Sequence, residues 1–275
     1  MDLYQVLADA YETVFPTDPD RVQFCLEFLE AAPKASDILA PDILAPDASG
    51  AVESTSISES PRRRFLDAGC GTGELCRAIA RVGHRSVGFD SSDAMISAGR
   101  RHASAEGVAV DLQVAGLLDL ATVAAGRTFD LITCLGNTVV HLPRISDVGE
   151  FVDQAAARLS GGRAASDEST FVVQLLNYDR ILARRPETLP DIRRGRYLFE
   201  RRYEYSDDGI TFHGTLTDTE TRESWKGRSK IQPYRRGEVE PLLAHRFHRV
   251  RCLGDLDGSA ADADSFVLTF VARSR

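Results

Sequence analysis

The sequence lacks the features that mark membrane-bound or secreted proteins. It contains no apolar run approaching the ~18 residues of a membrane span. Its first residues, Met1 to Gln5, lack the basic stretch and apolar segment of a secretion signal. The five cysteines are scattered and mostly lie in apolar runs, which favours buried free thiols over disulfides. We therefore expect a soluble, cytoplasmic protein with no membrane partner.

Positive charge is also scarce. Against 33 Lys and Arg residues stand 41 Asp and Glu residues, giving a formal net charge of −8. Such a balance repels a polyphosphate backbone, so we expect no nucleic-acid partner. The Cys70 and Cys76 spacing matches no zinc template, and the His245/His248 pair has no further ligand at suitable spacing, so no metal site is predicted.

The chain begins with two predicted helices, followed by a segment of different character. Apolar residues recur at helical spacing over 2–15 and 19–32. Residues 33–62 contain a tandem Asp-Ile-Leu-Ala-Pro and a Ser/Glu-rich stretch, with little apolar surface to offset the entropy of ordering. We predict that 1–32 forms a helical lid and that 33–62 is a flexible insertion.

From Arg64 onwards, predicted strands alternate with predicted helices. Strands are predicted at 64–68, 85–90, 109–114, 129–134 and 170–176, and helices at 74–82, 93–105 and 145–159. This alternation is typical of βαβ units and a parallel sheet. A helix at 237–245 and strands at 247–253 and 265–273 end the chain. Two-residue alternation over 197–205 and again over 210–217, with a turn at Asp208-Gly209, instead indicates a hairpin or small antiparallel sheet. We predict that 63–189 and 233–275 together form one α/β domain, which binds the ligand, and that 190–232 forms an antiparallel cap.

The strongest motif lies between the first strand and its helix. Phe65-Leu66-Asp67-Ala68 runs into Gly69-Cys70-Gly71-Thr72-Gly73, with the spacing G-x-G-x-G. Glycines there let backbone amides approach a ligand at a helix N-terminus. Asp67 would repel a pyrophosphate but attract an ammonium group. The segment resembles motif I of the class I S-adenosylmethionine-dependent methyltransferases.

That resemblance implies an α/β fold: a Rossmann-like seven-stranded methyltransferase sheet with helices on both faces and a small antiparallel β cap. It implies S-adenosyl-L-methionine as the cofactor. Asp90 ends the second strand. Its separation along the sequence from the glycine loop is close to that expected of the acid that binds ribose hydroxyls. Met95 fits either an adenine contact or an ordinary core position. The predicted cofactor-binding residues are Asp67, Gly69, Cys70, Gly71, Gly73, Asp90, Ser91, Met95, Gly116, Leu117 and Leu135.

The loop after the fourth strand is predicted to hold the methyl acceptor. Cys134-Leu135-Gly136-Asn137, followed by His141-Leu142-Pro143, resembles the glycine and sarcosine N-methyltransferase group, as does the segment Asn177-Tyr178-Asp179-Arg180. We predict catalytic roles for Asn137, His141 and Tyr178. For Tyr178 to Arg180 the alternative is a structural loop with a local ion pair.

One position departs from that group. Members of the glycine and sarcosine N-methyltransferase group carry an arginine immediately before the Asn-Tyr-Asp, and this arginine binds the substrate carboxylate. This chain has Leu176 at that position. A leucine forms no bidentate pair with a carboxylate, so we expect a small-molecule acceptor other than glycine, with an N or O nucleophile. Arg180 or an arginine within 193–202 is a candidate replacement. A homo-oligomer is compatible with the sequence.

Two other function classes stay open at this point. A non-catalytic S-adenosylmethionine-binding regulator keeps the same cofactor pocket without an acceptor site. A nicotinamide-dependent oxidoreductase is disfavoured by the glycine spacing and by Asp67.

Overall fold

A computed structural model describes residues 3–30, 62–160 and 168–274. The predicted insertion at 33–62 and the glycines predicted to end the 145–159 helix therefore fall almost entirely outside the described residues. The helices are α1 (Leu3–Val14), α2 (Pro19–Glu30), α3 (Glu74–Arg81), α4 (Asp93–Glu106), α5 (Leu120–Val123), α6 (Ile145–Ala156), α7 (Tyr178–Arg184) and α8 (Arg236–Arg246). None of the helices in these ranges is long and apolar enough to cross a bilayer.

The larger sheet has seven strands. They are β1 (Arg64–Ala68), β2 (Arg85–Asp90), β3 (Asp111–Val114), β4 (Leu131–Cys134), β5 (Thr170–Leu176), β10 (Arg249–Leu253) and β11 (Val267–Arg273). Their spatial order is β10-β11-β5-β4-β1-β2-β3. The first five along the chain pair in parallel, and β11 and β10 close one edge in antiparallel fashion. The predicted fold class is confirmed.

Side chains of the central strands alternate between two apolar layers. On β1, Leu66 packs in one core with Phe151 of α6 and Val239 of α8. Its neighbour Phe65 packs in the other core, with Ile79 of α3. Strands buried on both faces require helices on both faces, and the apolar residues of α3, α6 and α8 supply that cover.

The second sheet has four antiparallel strands, in the order β6-β7-β8-β9. They are β6 (Thr188–Arg194), β7 (Tyr197–Ser206), β8 (Gly209–Asp218) and β9 (Ser224–Ile231). We call this sheet the cap. A third apolar cluster joins it to α1 and α4 through Leu7, Met95 and Phe199.

Strand β6, helix α7 and the short helix α5 were not predicted. Strand β6 contains Pro190 and a register irregularity between Leu189 and Ile192, which an edge strand tolerates but which hides the two-residue alternation. Helix α7 begins at the predicted loop: the Asn177 side chain accepts a bond from the Arg180 amide at 3.2 Å and caps the helix.

Candidate functional site

A cavity of about 580 Å³ lies where the two sheets meet the N-terminal helices. The carboxyl ends of β1, β4 and β5 form its floor, which is where parallel α/β sheets bind ligands. Helices α1 and α2 form one wall, and the inner face of the cap forms another. Its size is that of a small-molecule site.

The glycine loop after β1 is held in a conformation that only glycine adopts easily. Gly69, Gly71 and Gly73 all have positive φ, between 56° and 77°. A side chain on Gly69 would also lie 2.3 Å from the Thr138 methyl group. The amides of Gly69, Cys70, Gly71 and Gly73 are bonded within the protein, so these glycines provide a backbone path rather than free donors.

Asp67 is a buried carboxylate at the cavity floor. Burial is the main reason that its pKa rises to about 6, with the charge of Asp90 adding to the effect. A hydrogen bond from the Thr133 hydroxyl at 2.7 Å and the positive charge of Arg21 act in the opposite direction. The carboxylate thus lacks a full counter-charge and is suited to bind a ligand cation.

Arg21 of α2 also lines the cavity, on the N-terminal wall. Its Nε atom is buried and has no hydrogen-bond partner among the described residues. A guanidinium with an unused donor, close enough to Asp67 to lower the pKa of that carboxyl, is suited to a ligand carboxylate. Together the two side chains match a zwitterion.

The loop after β4 holds Asn137 in a left-handed conformation, with φ of 68°. The Asn137 amide oxygen accepts a bond from the Leu176 amide at 3.0 Å, and its Nδ2 donates to the Tyr178 hydroxyl at 2.9 Å. Both Asn137 and Leu176 line the cavity, whereas Tyr178 is fully buried behind them. Tyr178 therefore has no contact with the cavity itself and bonds the Asn137 side chain that lines it.

His141 lies in a short 3₁₀ turn, with its imidazole at the cavity and its Nδ1 3.2 Å from the Ser229 hydroxyl of the cap. Surrounding protein lowers its pKa below the usual value, although the charge of Asp90 opposes this shift. The imidazole is therefore neutral near pH 7 and available to accept a proton.

Six of the predicted site residues are brought together around the cavity: Asp67, Gly69, Cys70, Leu135, Asn137 and His141. Eight others do not line it: Gly71, Gly73, Asp90, Ser91, Met95, Gly116, Leu117 and Tyr178.

Two of these eight are covered by α1. Tyr11 lies against Gly71, where an added side chain would be 3.1 Å from the ring. Met95 is buried beneath α1, in the cluster that also holds Leu7. A third, Asp90, accepts bonds from the amides of Gly71 and Ser92, at 3.0 and 2.9 Å.

Helix α1 is fastened over the glycine loop by a polar network that was not predicted. Glu12 accepts bonds from the Thr72 hydroxyl at 2.7 Å and from the Arg77 guanidinium at 2.9 Å, and lies 2.7 Å from His102. Arg77 is only 1% exposed and also bonds Glu106 at 2.8 Å. No sequence pattern links these residues, because they come from three separate helices and the glycine loop.

The cap also contributes residues to the cavity. The sequence predicted the cap but not which of its side chains line the cavity. Three alternate residues in the middle of β7, Phe199, Arg201 and Tyr203, line the cavity. The sequence shows the two-residue alternation of β7. Arg201 occupies an apolar position of that alternation, and this was the signal that could have identified it as a cavity residue.

Comparison with known proteins places this geometry in context. Residues 65–162 match the family described as a methyltransferase domain. A ubiquinone biosynthesis O-methyltransferase from Hahella chejuensis is 39% identical over 83 residues, which are 30% of this chain and 34% of that protein. The chain thus matches only about a third of the length of this curated relative.

Solved structures match over nearly the whole chain. A S-adenosylmethionine-dependent methyltransferase from Clostridium acetobutylicum has a TM-score of 0.71 at 15% identity, covering 99% of both chains. The CcbJ methyltransferase from Streptomyces caelestis has a TM-score of 0.70 at 17% identity, covering 99% of this chain and 98% of its own.

These matches confirm the broader resemblance, whereas the narrower one to the glycine and sarcosine group stays a prediction. Residues 65–162 thus resemble a methyltransferase domain, and the fold of the chain is that of these solved methyltransferase structures.

Proposed function

We propose that the protein transfers the methyl group of S-adenosylmethionine to a small-molecule acceptor in the cavity between the sheets. One observation carries the proposal: a single cavity is lined both by Asp67 and the glycine loop and by Asn137, His141 and the inner face of the cap. A regulator that only binds the cofactor needs no such second wall of polar and aromatic side chains. The name of the Hahella relative likewise describes an O-methyltransferase of a biosynthetic pathway for a small molecule, ubiquinone.

The zwitterionic end of the cofactor is matched by two side chains. Asp67 would bind the ammonium group, and Arg21, with its unpaired Nε, would bind the carboxylate. Asp90 does not line the cavity while α1 covers the glycine loop, but its two existing bonds leave lone pairs on both oxygens, so it would bind the ribose hydroxyls when α1 moves away. Helices α1 and α2, as the lid, would exclude water from the reacting atoms.

The sulfonium is already an activated leaving group, so this chain's residues mainly align the acceptor and remove solvent. Asn137, braced by Tyr178 and the Leu176 amide, would fix the acceptor beside the methyl group. His141 would take the proton from a hydroxyl or ammonium acceptor, and an amine that arrives neutral needs no base.

The direct test combines binding and turnover. Calorimetry should show binding of S-adenosylmethionine, and a screen of small amines, amino acids, sugars and phenols with labelled cofactor should yield a product heavier by one methyl group. Cofactor binding without any methylated product would favour the regulator. Binding of a nicotinamide nucleotide instead of S-adenosylmethionine would point to the oxidoreductase.

For an acceptor that must lose a proton, kcat at saturating cofactor should fall as the pH drops through the pKa of His141. Because that pKa is lowered, we expect the acid limb below the ordinary value of about 6.5. His141→Asn should reduce kcat by roughly 10²-fold and remove the limb. Ser229→Ala, which changes only the neighbour of Nδ1, should keep both the limb and most of the activity. An unchanged profile in His141→Asn would assign the base elsewhere.

Glycine should be a poor acceptor for the wild-type protein. Leu176 lines the cavity and offers no charge at the end of β5, and leaving a carboxylate unpaired at that position costs several kcal/mol. Leu176→Arg should raise kcat/KM for glycine or sarcosine while lowering it for the preferred acceptor. Its backbone bond to Asn137 is kept, so the loop should hold its geometry. Efficient glycine methylation by the wild type would contradict this prediction.

A further inference from the structure

Strand β7 presents one charged side chain on an otherwise aromatic face. Phe199 and Tyr203 flank Arg201 at two-residue spacing, and all three line the cavity. Phe212 of β8 lies across from Tyr203 and lines the same wall. A guanidinium on such a face is unfavourable unless something pairs with it.

Arg201 has little to pair with inside the protein. Its Nη2 donates to the Pro190 carbonyl at 2.6 Å, but its Nε is buried and bonded to no described residue. Burial lowers its pKa, and only Tyr203 and Asp191 act weakly against that shift. No carboxylate in the described ranges forms an ion pair with it. Across the strand pair stands Gly214, which supplies no side chain.

A second arginine lines the same part of the cavity. Arg194, at the end of β6, is exposed there, and its side chain has no hydrogen bond or ion pair to a described residue. The cap wall therefore carries two guanidinium groups that form no ion pair with a described residue, and Asp191 acts on Arg201 only from a distance. In contrast, every carboxylate that lines the cavity comes from the other walls: Asp18, Asp67 and Glu74.

The cap arginines are separate from the pair assigned to the cofactor. Arg21 lies on the N-terminal wall, and its charge lowers the pKa of Asp67. Arg201 lies on the cap, and its charge has no such effect on Asp67. Two guanidinium sites on different walls imply two anions, and the cofactor carries one carboxylate.

We propose that Arg201 determines specificity by binding an anionic group of the methyl acceptor, a carboxylate or a phosphate, with Arg194 adding charge at the same wall. This inference rests on the proposed function. The proposed anion site also differs in position from the arginine that clamps the substrate carboxylate in the glycine and sarcosine group. That arginine would stand at the end of β5, where this chain has Leu176, whereas Arg201 stands on the cap. The aromatic side chains beside Arg201 would pack on the acceptor's apolar part.

The test measures binding of three probes by ligand-observed NMR titration: phenyl phosphate, benzoate and benzyl alcohol. Each is titrated into the full-length protein with and without S-adenosylhomocysteine. We expect at least one anionic probe to bind ten-fold or more tightly than benzyl alcohol. Arg201→Gln should abolish that preference and leave benzyl alcohol unchanged. Arg202→Gln, on the outward face of the same strand, is the matched control and should keep it.

The phosphate and carboxylate probes distinguish the two anions, since the preferred one binds more tightly. Equal affinity of anionic and neutral probes in the wild type, or an unchanged preference in Arg201→Gln, would overturn the proposal. Cofactor titrations of the same variants separate it from the proposed function. If Arg201→Gln weakens S-adenosylmethionine binding as much as Arg21→Gln does, Arg201 belongs to the cofactor. If the wild type binds no S-adenosylmethionine, the proposed function fails, whatever the probes show.

Discussion

Asp67→Asn should make the ligand-free protein more stable while it weakens cofactor binding. Burial raises the pKa of this carboxyl from 3.8 to about 6. The folded state therefore holds the Asp67 proton more tightly than the unfolded chain does. Stability is lost as the pH rises from about 4 to about 6, and above that range the full cost of about 3 kcal/mol is present. Asparagine keeps an oxygen to accept the Thr133 bond and carries no charge.

The same substitution removes the partner of the cofactor's ammonium group. A charge-assisted hydrogen bond contributes about 1.5–3 kcal/mol, so affinity for S-adenosylmethionine should fall by roughly 10- to 100-fold. In the wild type, affinity should be highest above pH 6 and should fall as Asp67 is protonated below it, and in the variant this dependence should disappear.

Urea unfolding across pH 4–8 and calorimetry measure the two effects. Asp153→Asn is the control, because this surface carboxylate pairs with Arg246 outside the cavity and its loss should lower stability slightly. A destabilised Asp67→Asn protein with unchanged cofactor affinity would show that the carboxylate is structural.

The sequence predicted the main sheet because its local signals agree with one another. Around β1, an apolar strand, three glycines and an amphipathic helix follow in the order that a βαβ unit requires. The same order places the glycine motif after β1 and the loop after β4 at one edge, so motif and strand order together predicted that Asp67, Asn137 and His141 line one cavity.

The parts that were missed depend on contacts between distant segments. The sequence gives no sign that Tyr11 lies against Gly71 or that Glu12 bonds Thr72, because α1 and the glycine loop are some 60 residues apart. Tyr178 was predicted as catalytic from its motif, but its burial follows from α7 packing against the core. Periodicity shows which face of an element is buried and not what lies against it.

Arg77 should prove to be the residue on which the N-terminal wall depends most. It is 1% exposed and bonds Glu12 of α1, Glu106 of α4 and the Thr72 carbonyl. Removing one partner of a buried ion pair leaves an uncompensated charge, so Arg77→Met should cost about 3–5 kcal/mol of unfolding free energy. Methionine keeps most of the apolar stem, which separates the lost charge from lost packing.

Arg81 provides a matched control for this variant. It bonds the same carboxylate of Glu106, at 2.6 Å, but is 47% exposed. Arg81→Met should therefore cost less than about 1 kcal/mol. Urea denaturation compares the two variants, and equal losses would show that burial adds nothing to the Arg77 network.

The network also predicts a functional consequence. With Arg77 gone, Glu12 keeps its bonds to Thr72 and His102, but α1 loses its bond to α3. We expect the lid, α1 and α2, to open more often. Cofactor binding should then weaken, and proteolysis within α1 should become faster under conditions in which the seven-stranded sheet stays folded. Glu12→Gln removes the negative charge of the same ion pair, and since both variants remove that one charge interaction, the double variant should lose less than the sum of the two. Additive losses would mean that α1 is held by its apolar cluster and that the polar network does not fasten the lid.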